Sequence, residues 1–307
     1  MSKPTDDMII AKILELKKDK SVYIIAHYYQ RPEIQDIADF VGDSYAMAVA
    51  AQNAPMDTIL VAGVDFMAES AAILCPDKKV LSPEPAATCP MANSIGIEDV
   101  EEYKRTHPDS LIASYVNTPA SIKAVTDVCV TSSNAARIIA KLPPDAPIFF
   151  IPDENLGKYI MSKLSRPMDL YPSCCPIHSV VTEQDILQKK QEHPEAEVLV
   201  HPECVPEVIA RADFVGSTAG MVDYAAKSDK RQFIIATECG IMHKINLVSP
   251  GKELILAQRE LICPNMKSIT LNKILHSLET METVISVPEA IRAPAAVALE
   301  KMIALNS

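Results

Sequence analysis

Tryptophan is absent from the 307 residues, and aromatic side chains make up only 5% of them. Proteins that stack nucleobases need aromatic platforms, so that class loses its usual support. The chain also has no dense Lys/Arg run, and its formal net charge is −11. Phosphate neutralisation needs a basic face, which argues against nucleic acid as the main partner while leaving room for a local positive pocket. No apolar run reaches the ~18 residues of a spanning helix, so no membrane partner is expected. The opening MSKPTDDMIIAKILELKKDK is charged and helix-like, with Thr5 as a candidate N-cap, and lacks the features of a secretory signal. A cytoplasmic protein is the resulting expectation. No CxxC occurs among the eight cysteines, Cys75, Cys89, Cys129, Cys174, Cys175, Cys204, Cys239 and Cys263. Zinc-ribbon and thioredoxin readings therefore fall away. In a reducing compartment these are buried thiols, ligands or reactive groups, and any metal site must be assembled from cysteines distant in sequence.

What is present is a long alternation of apolar runs and helical segments. The length suits two or three modules, and the 48% hydrophobic and 22% charged residues are ordinary for a globular chain. Strands are predicted at 22–26, 58–62, 110–114, 147–151, 196–200, 232–236 and 252–256. Helices are predicted at 5–19, 33–40, 44–53, 66–74, 97–106, 132–141, 182–192, 217–227, 268–279 and 288–305. This alternation implies βαβ units, and strands that read as continuous apolar runs fit parallel sheets covered on both faces.

Self-similarity sharpens the picture. Apolar runs end in IIAHYYQRPEI, LIASYVNTPAS and VLVHPECVPEV, placing His27, Tyr115 and His201 in one slot, 88 and 86 residues apart. A proline follows each, at Pro32, Pro119 and Pro206, where it suits the first turn of a helix. Hydroxyl clusters come next: GDSYAMA with Ser44, TSSNAAR with Ser132, and GSTAGMV with Ser217 and Thr218. Acids follow at Asp65, Asp153 and Glu238, and each unit closes on Cys-Pro at Cys89, Cys175 and Cys263. The expected fold is α/β: three homologous α/β/α sandwich domains with parallel sheets around a pseudo-threefold axis. The units are placed at residues 1–92, 93–179 and 180–265, with a C-terminal helical extension, 266–307, on the first repeat. Ligands of such modules gather at the carboxyl ends of the strands, where these polar slots fall.

Three units about one axis can each deliver a residue to a common point. Three thiolates satisfy three irons of a [4Fe–4S] cluster and leave the fourth open to polarise a substrate oxygen; zinc, or mere burial, is the alternative for any one cysteine. The Ser and Thr positions either cap helices or present helix N-termini to carboxylate and phosphate. His27, Tyr29, Tyr115, Asn117, His201 and Glu203 form a strand-end set. His201 and Glu203, two apart on extended chain, point to one side and form a candidate acid–base pair. His178 ranks behind them, because neither Cys89 nor Cys263 has an equivalent histidine. Cys174 adjoins Cys175 and competes with it for the ligand role.

Taken together, IIAHYYQRPEIQDIADFVGDS, GVDFMAE, SPEPAATCPMA, SYVNT, TSSNA, VHPEC, GSTAGM and ICPNMK resemble the quinolinate synthase family over nearly the whole chain. The resemblance implies three α/β domains in a triangle and a [4Fe–4S] cluster on Cys89, Cys175 and Cys263. It implies condensation of iminoaspartate with dihydroxyacetone phosphate to quinolinate, phosphate and water, feeding de novo NAD biosynthesis. The enzyme that supplies iminoaspartate would be a transient partner. By the same resemblance, proton transfer falls to His27, Tyr29, Tyr115, His201 and Glu203. Substrate binding falls to His27, Ser44, Tyr115, Asn117, Ser132, His201, Glu203, Ser217 and Thr218. One departure is that Cys263-Pro264-Asn265-Met266 lacks the CxxC of some members, so disulfide switching is not expected there. The rival readings are a hydro-lyase acting on one hydroxy acid and a metal or anion sensor without turnover.

Overall fold

The computed structural model describes residues 5–306; the outermost residues of the first and last predicted segments, 1–4 and 307, lie outside them. Three four-stranded sheets, parallel throughout, organise the chain. The first is built from β1 (Val22–His27), β2 (Phe40–Gly42), β3 (Thr58–Ala62) and β4 (Lys79–Leu81). The second uses β5 (Leu111–Tyr115), β6 (Val128–Val130), β7 (Ile148–Ile151) and β8 (Asp169–Leu170). The third uses β9 (Glu197–Val200), β10 (Phe214–Val215), β11 (Gln232–Ala236) and β12 (Glu253–Leu256). Each sheet runs second–first–third–fourth, so chain order reverses between its first and third strands. In such sheets the crevice at the carboxyl ends beside that reversal is where ligands bind.

Helices flank the sheets, and the central strands are apolar because both of their faces are covered. Ile59–Ala62 and Phe233–Ala236, for instance, are fully buried. A further repeat appears only in three dimensions. Asp39, Asp127 and Asp213, again 88 and 86 residues apart, each accept one backbone N–H at 2.8 Å, from Ile24, Ile112 and Val198. Each thereby pins the entry to a second strand onto the first strand of its sheet. Three identical brackets in three sheets mark the units as copies of one design.

Some predicted elements need correction. The helix predicted at 33–40 is α2 (Pro32–Ile37), and Phe40 already belongs to β2. The helix predicted at 132–141 begins only at Ala135, as α7 (Ala135–Lys141). Asn134 Oδ1 accepts the Thr131 N–H at 2.7 Å and the Thr131 and Ser133 hydroxyls bond at 2.8 Å. Side-chain bonds of this kind offer the backbone a turn instead of a helix. At the chain start, Thr5 is the N-cap residue of α1 (Asp6–Asp19), but its side chain makes no capping bond.

The first two units and the C-terminal helices share one hydrophobic core, whereas the third sheet has its own clusters on its two faces. Helix α14 (Leu271–Thr280) packs on α1. Helix α15 (Glu289–Leu305) lies across α4 (Asp65–Leu74), β6, α6 (Ala120–Lys123) and α7, burying Ala295, Ala298, Leu299 and Met302. The extension thus touches both of the first two units.

Candidate active site

A cavity of about 240 Å³ lies where the three units meet, lined from all three. It is smaller than the ~300–1,000 Å³ usual for drug-sized ligands and suits a small metabolite. Among the described residues no Lys or Arg lines it.

The strand ends supply its acid–base groups. His27 is the last residue of β1, Tyr115 the last of β5, and His201 follows β9 directly. The two histidines share a local geometry. Nδ1 of His27 accepts the Tyr29 N–H at 3.1 Å, and Nδ1 of His201 accepts the Glu203 N–H at 3.4 Å. A ring that accepts at Nδ1 carries its proton on Nε2 when neutral. Burial, only partly offset by the nearby Glu203 carboxylate, lowers both imidazoles to about 3, so both are neutral donors at ordinary pH.

Glu203 is the hub. It comes from the third unit and accepts the Tyr115 hydroxyl of the second at 2.6 Å. Its other oxygen is 2.7 Å from Nδ1 of His178. That contact lies off the N–H axis and is chiefly electrostatic. The His178 and His201 rings stack at 4.5 Å. Burial alone would raise the Glu203 carboxyl, but His201, His178 and the Tyr115 hydroxyl together hold it below the usual carboxylate range. Tyr29 and Tyr115 are pushed well above 10 by burial and by Glu203, so both phenols keep their protons. A second chain of contacts links Tyr29 Oη to Thr237 Oγ1 at 2.7 Å and Thr237 Oγ1 to His178 Nε2 at 2.8 Å.

Cys89, Cys175 and Cys263 all line the cavity, and none is in a disulfide. Each opens a Cys-Pro turn: the fourth residue of the first, Ala92, donates its N–H to Cys89 Sγ at 3.5 Å, and the N–H groups of His178 and Met266 at the same place favour the thiolates of Cys175 and Cys263. Burial raises all three thiols, Cys89 to about 12. Bare thiolates are thus costly here, and the N–H donors together with a bound cation are what would hold them ionised. Cys175, His178 and Glu203 also place one ligand atom each within 4.8 Å of one another, a group able to hold a metal ion. Cys174 does not line the cavity.

The chain matches the family model described as "Quinolinate synthetase A protein" over residues 11–304. It belongs to that family. It is 44% identical to a quinolinate synthase of Methanosarcina barkeri over 97% of this chain and 98% of that protein. Against the quinolinate synthase of Desulforudis audaxviator the figures are 46%, 97% and 99%, and against that of Pelobacter propionicus 46%, 96% and 97%.

In this member of the family the other expected binding residues divide. Ser44, Asn117, Ser132 and Thr218 line the cavity with the acid–base set. Ser44 is the first residue of α3 (Ser44–Asn53), capped by Asp43, and Thr218 is the first of α11 (Thr218–Lys227). Ser132 sits in the turn before α7 rather than at a helix start. Asn117 Oδ1 is buried without a hydrogen-bond partner. Ser217 does not line this cavity: its Oγ caps α11 by accepting the Gly220 N–H at 3.2 Å, and it borders a neighbouring cleft. His178, ranked low from sequence, stands at the centre of the network. Thr237 was missed altogether, although it follows the third strand immediately before Glu238, one of the repeated acids. No helix among the described residues is long and apolar enough to cross a membrane.

Proposed function

We propose that this chain condenses iminoaspartate with dihydroxyacetone phosphate to quinolinate, phosphate and water, as a cytoplasmic step of de novo NAD biosynthesis. The observation that carries this reading is the convergence of three repeat-equivalent cysteines and a buried Glu/His/Tyr network on one small cavity, in a chain of this family.

Cys89, Cys175 and Cys263 would hold a [4Fe–4S] cluster, and their donor set fits it: three free thiols from three units, each with a backbone N–H that favours its thiolate. Bound there, the cluster supplies an open iron as a Lewis acid toward a carbonyl or hydroxyl oxygen. The rest of the chemistry belongs to the side chains. With no Lys or Arg among the described residues of the lining, the carboxylates and phosphate of the substrates are held by neutral donors. These are the hydroxyls of Ser44, Ser132 and Thr218, the helix N-termini behind Ser44 and Thr218, and the Nε2–H groups of His27 and His201. Asn117 Oδ1 accepts from the substrate nitrogen or a hydroxyl. Glu203 takes up a proton released by the substrates and passes it through Tyr115, its partner at 2.6 Å, to a departing oxygen. Tyr29 exchanges a proton through Thr237 Oγ1 with His178 Nε2, and Glu203 stabilises the imidazolium that results. Burial of these groups excludes water from a condensation that must itself expel water.

A second reading, a single metal ion on Cys175, His178 and Glu203, is favoured by the proximity of their ligand atoms. It leaves Cys89 and Cys263 without a role and takes Glu203 from Tyr115. Anaerobic purification with iron and sulfide analysis, followed by an assay with and without dihydroxyacetone phosphate, decides between them. About four irons and four sulfides, with quinolinate formed only from both substrates, is the expected result. One zinc per chain, or turnover of a lone hydroxy acid, would overturn the proposal.

A further inference from the structure

Asp65, Asp153 and Glu238 follow the third strands and stand outside the proton-transfer set. Only Asp153 and Glu238 share one slot: Ala62, Ile151 and Ala236 are in register, which puts Val64 there in the first unit, and both acids are buried completely. Burying a carboxylate beside thiols is costly unless both oxygens find donors. Asp153 and Glu238 find them in the same way. Asp153 Oδ1 accepts the Leu156 N–H at 2.8 Å, in its own strand exit, and Oδ2 accepts the N–H of Cys175 at 3.3 Å. Glu238 Oε2 accepts the Gly240 N–H at 2.7 Å, and Oε1 accepts the N–H of Cys263 at 3.1 Å. Each carboxylate is therefore a two-ended bracket between a strand exit and a cysteine.

The first unit differs. Its slot holds Val64, which has no carboxylate. Asp65, one residue on, accepts the Phe66 N–H on Oδ1 at 2.8 Å and is favoured as the carboxylate by the Asn93 side chain of the Cys89 turn, but makes no bond to the amide of Cys89 among the described residues. What all three units share is a main-chain link to the residue two before each cysteine. Asp65 N donates to Ala87 O at 2.8 Å, Glu154 N to Ser173 O at 2.7 Å, and Cys239 N to Leu261 O at 2.9 Å. The carboxylate bracket is thus an addition in the second and third units alone. Glu238 carries one more connection. Lys267 lies 3.0 Å from its Oε1 and donates to Tyr29 O at 2.6 Å, tying the Cys263 turn to the loop that bears Tyr29.

We propose that Asp153 and Glu238 are positioning residues that set the Cys175 and Cys263 sulfurs for the shared metal centre, while the Cys89 amide has no such carboxylate. This rests on the three-cysteine cluster proposed above. A carboxamide has one acceptor oxygen, so Asp153→Asn and Glu238→Gln must each lose one end of the bracket and turn an NH₂ toward a backbone N–H. Partners that orient metal ligands commonly change metal affinity by ~10–100-fold when removed.

The full-length wild type, D153N, E238Q and D65N are reconstituted anaerobically with ferrous iron and sulfide. Iron per chain is measured, then its first-order loss to a ferrous chelator, followed by visible absorption. The expected result is loss about 10–100-fold faster from D153N and E238Q, and within about twofold of wild type from D65N. Melting of the metal-free proteins is recorded beside it, and Asp153→Glu and Glu238→Asp, which keep both acceptors at altered reach, replace any amide variant that fails to fold. Loss rates at the wild-type value in the bracket variants would overturn the inference. So would a D65N as leaky as they are, or leakiness that merely follows the melting temperature across all variants. If wild type itself takes up no more iron than Cys175→Ser, it is the cluster reading that fails, and the two failures are thereby told apart.

Discussion

Gly240 stands at the closest approach between the third unit and the loop that carries Tyr29. Its φ of −60° and ψ of −26° are open to any residue, so the cost of a side chain there is purely steric. A Cβ at this position would meet Tyr28 O at 2.7 Å, and the carbonyl carbon and Cα of Tyr29 at 2.8 Å. These are backbone atoms, fixed further by Gln35, whose Nε2 donates to Gly240 O at 2.9 Å and Tyr28 O at 3.0 Å. In Gly240→Ala the Tyr28–Tyr29 peptide must retreat until 2.7 Å becomes an ordinary 3.4 Å contact. A shift of that size lengthens the Tyr29 hydroxyl to Thr237 Oγ1 contact, now 2.7 Å, to as much as about 3.4 Å, past the usual O–H···O range, and so weakens the bond. Overpacking of this kind costs about 1–3 kcal/mol of stability. Misplacing a reacting group by ~1 Å costs up to ~10²-fold in rate. We expect the variant to fold, to melt a few degrees lower, and to show kcat down by about 10–100-fold with KM changed far less. Steady-state quinolinate formation beside thermal denaturation makes the measurement. A wild-type kcat in a destabilised protein would mean that α12 (Ile241–Val248) yields instead, and that this contact does not position Tyr29.

Glu203→Gln removes the carboxylate shared by Tyr115 and His178, and kcat is expected to fall by ~10²–10⁴-fold in the same assay; near-normal turnover would remove Glu203 from the proton path. Cys89→Ser, Cys175→Ser and Cys263→Ser should each abolish cluster binding and activity while Cys174→Ser does neither, as iron analysis would show; loss of iron from Cys174→Ser with retention in Cys175→Ser would reverse the assignment. Stability of the metal-free chain should also depend on pH. His27 and His201 titrate at about 3 when folded against 6.5 in the unfolded chain, so between those values the unfolded state binds more protons. Stability therefore falls as pH drops below 6.5, by about 2 kcal/mol per ring at pH 5. Urea denaturation at pH 7 and pH 5 measures this, and a double His27→Gln/His201→Gln variant with an unchanged pH dependence would contradict it.

Much of this was legible in the chain itself. Strands β3 and β11 and helices α3 and α5 (Ile97–Thr106) fall on their predicted residues, because a run such as TILVA or QFIIA has no stable place but a doubly covered strand. The shortest edge strands, β8 and β10, are two residues long and were not seen, since so short a segment is a strand only by virtue of its neighbour. Helix α8 (Glu154–Leu164) was missed around Gly157, a residue that weakens an isolated helix. Here it lets Leu170 and Phe150 pack against the helix, since a Cβ would meet Leu170 Cδ2 at 2.5 Å and push that side chain aside. The repeated slots likewise pointed to His27, Tyr115, His201 and the three cysteines before any coordinates, since copies of one unit place equivalent residues at equivalent strand ends.

Periodicity could not reveal what has no counterpart in the other units. His178 and Thr237 are single residues, 59 apart in sequence and 2.8 Å apart in space. The Tyr115–Glu203 bond spans 88 residues, and the brackets of Asp153 and Glu238 join loops that the repeat treats alike in all three units. Patterning along the chain specified three parallel α/β units and the residue types each presents. Which of those groups touch was settled in three dimensions, because a contact between units depends on how whole sheets pack and not on spacing along the chain.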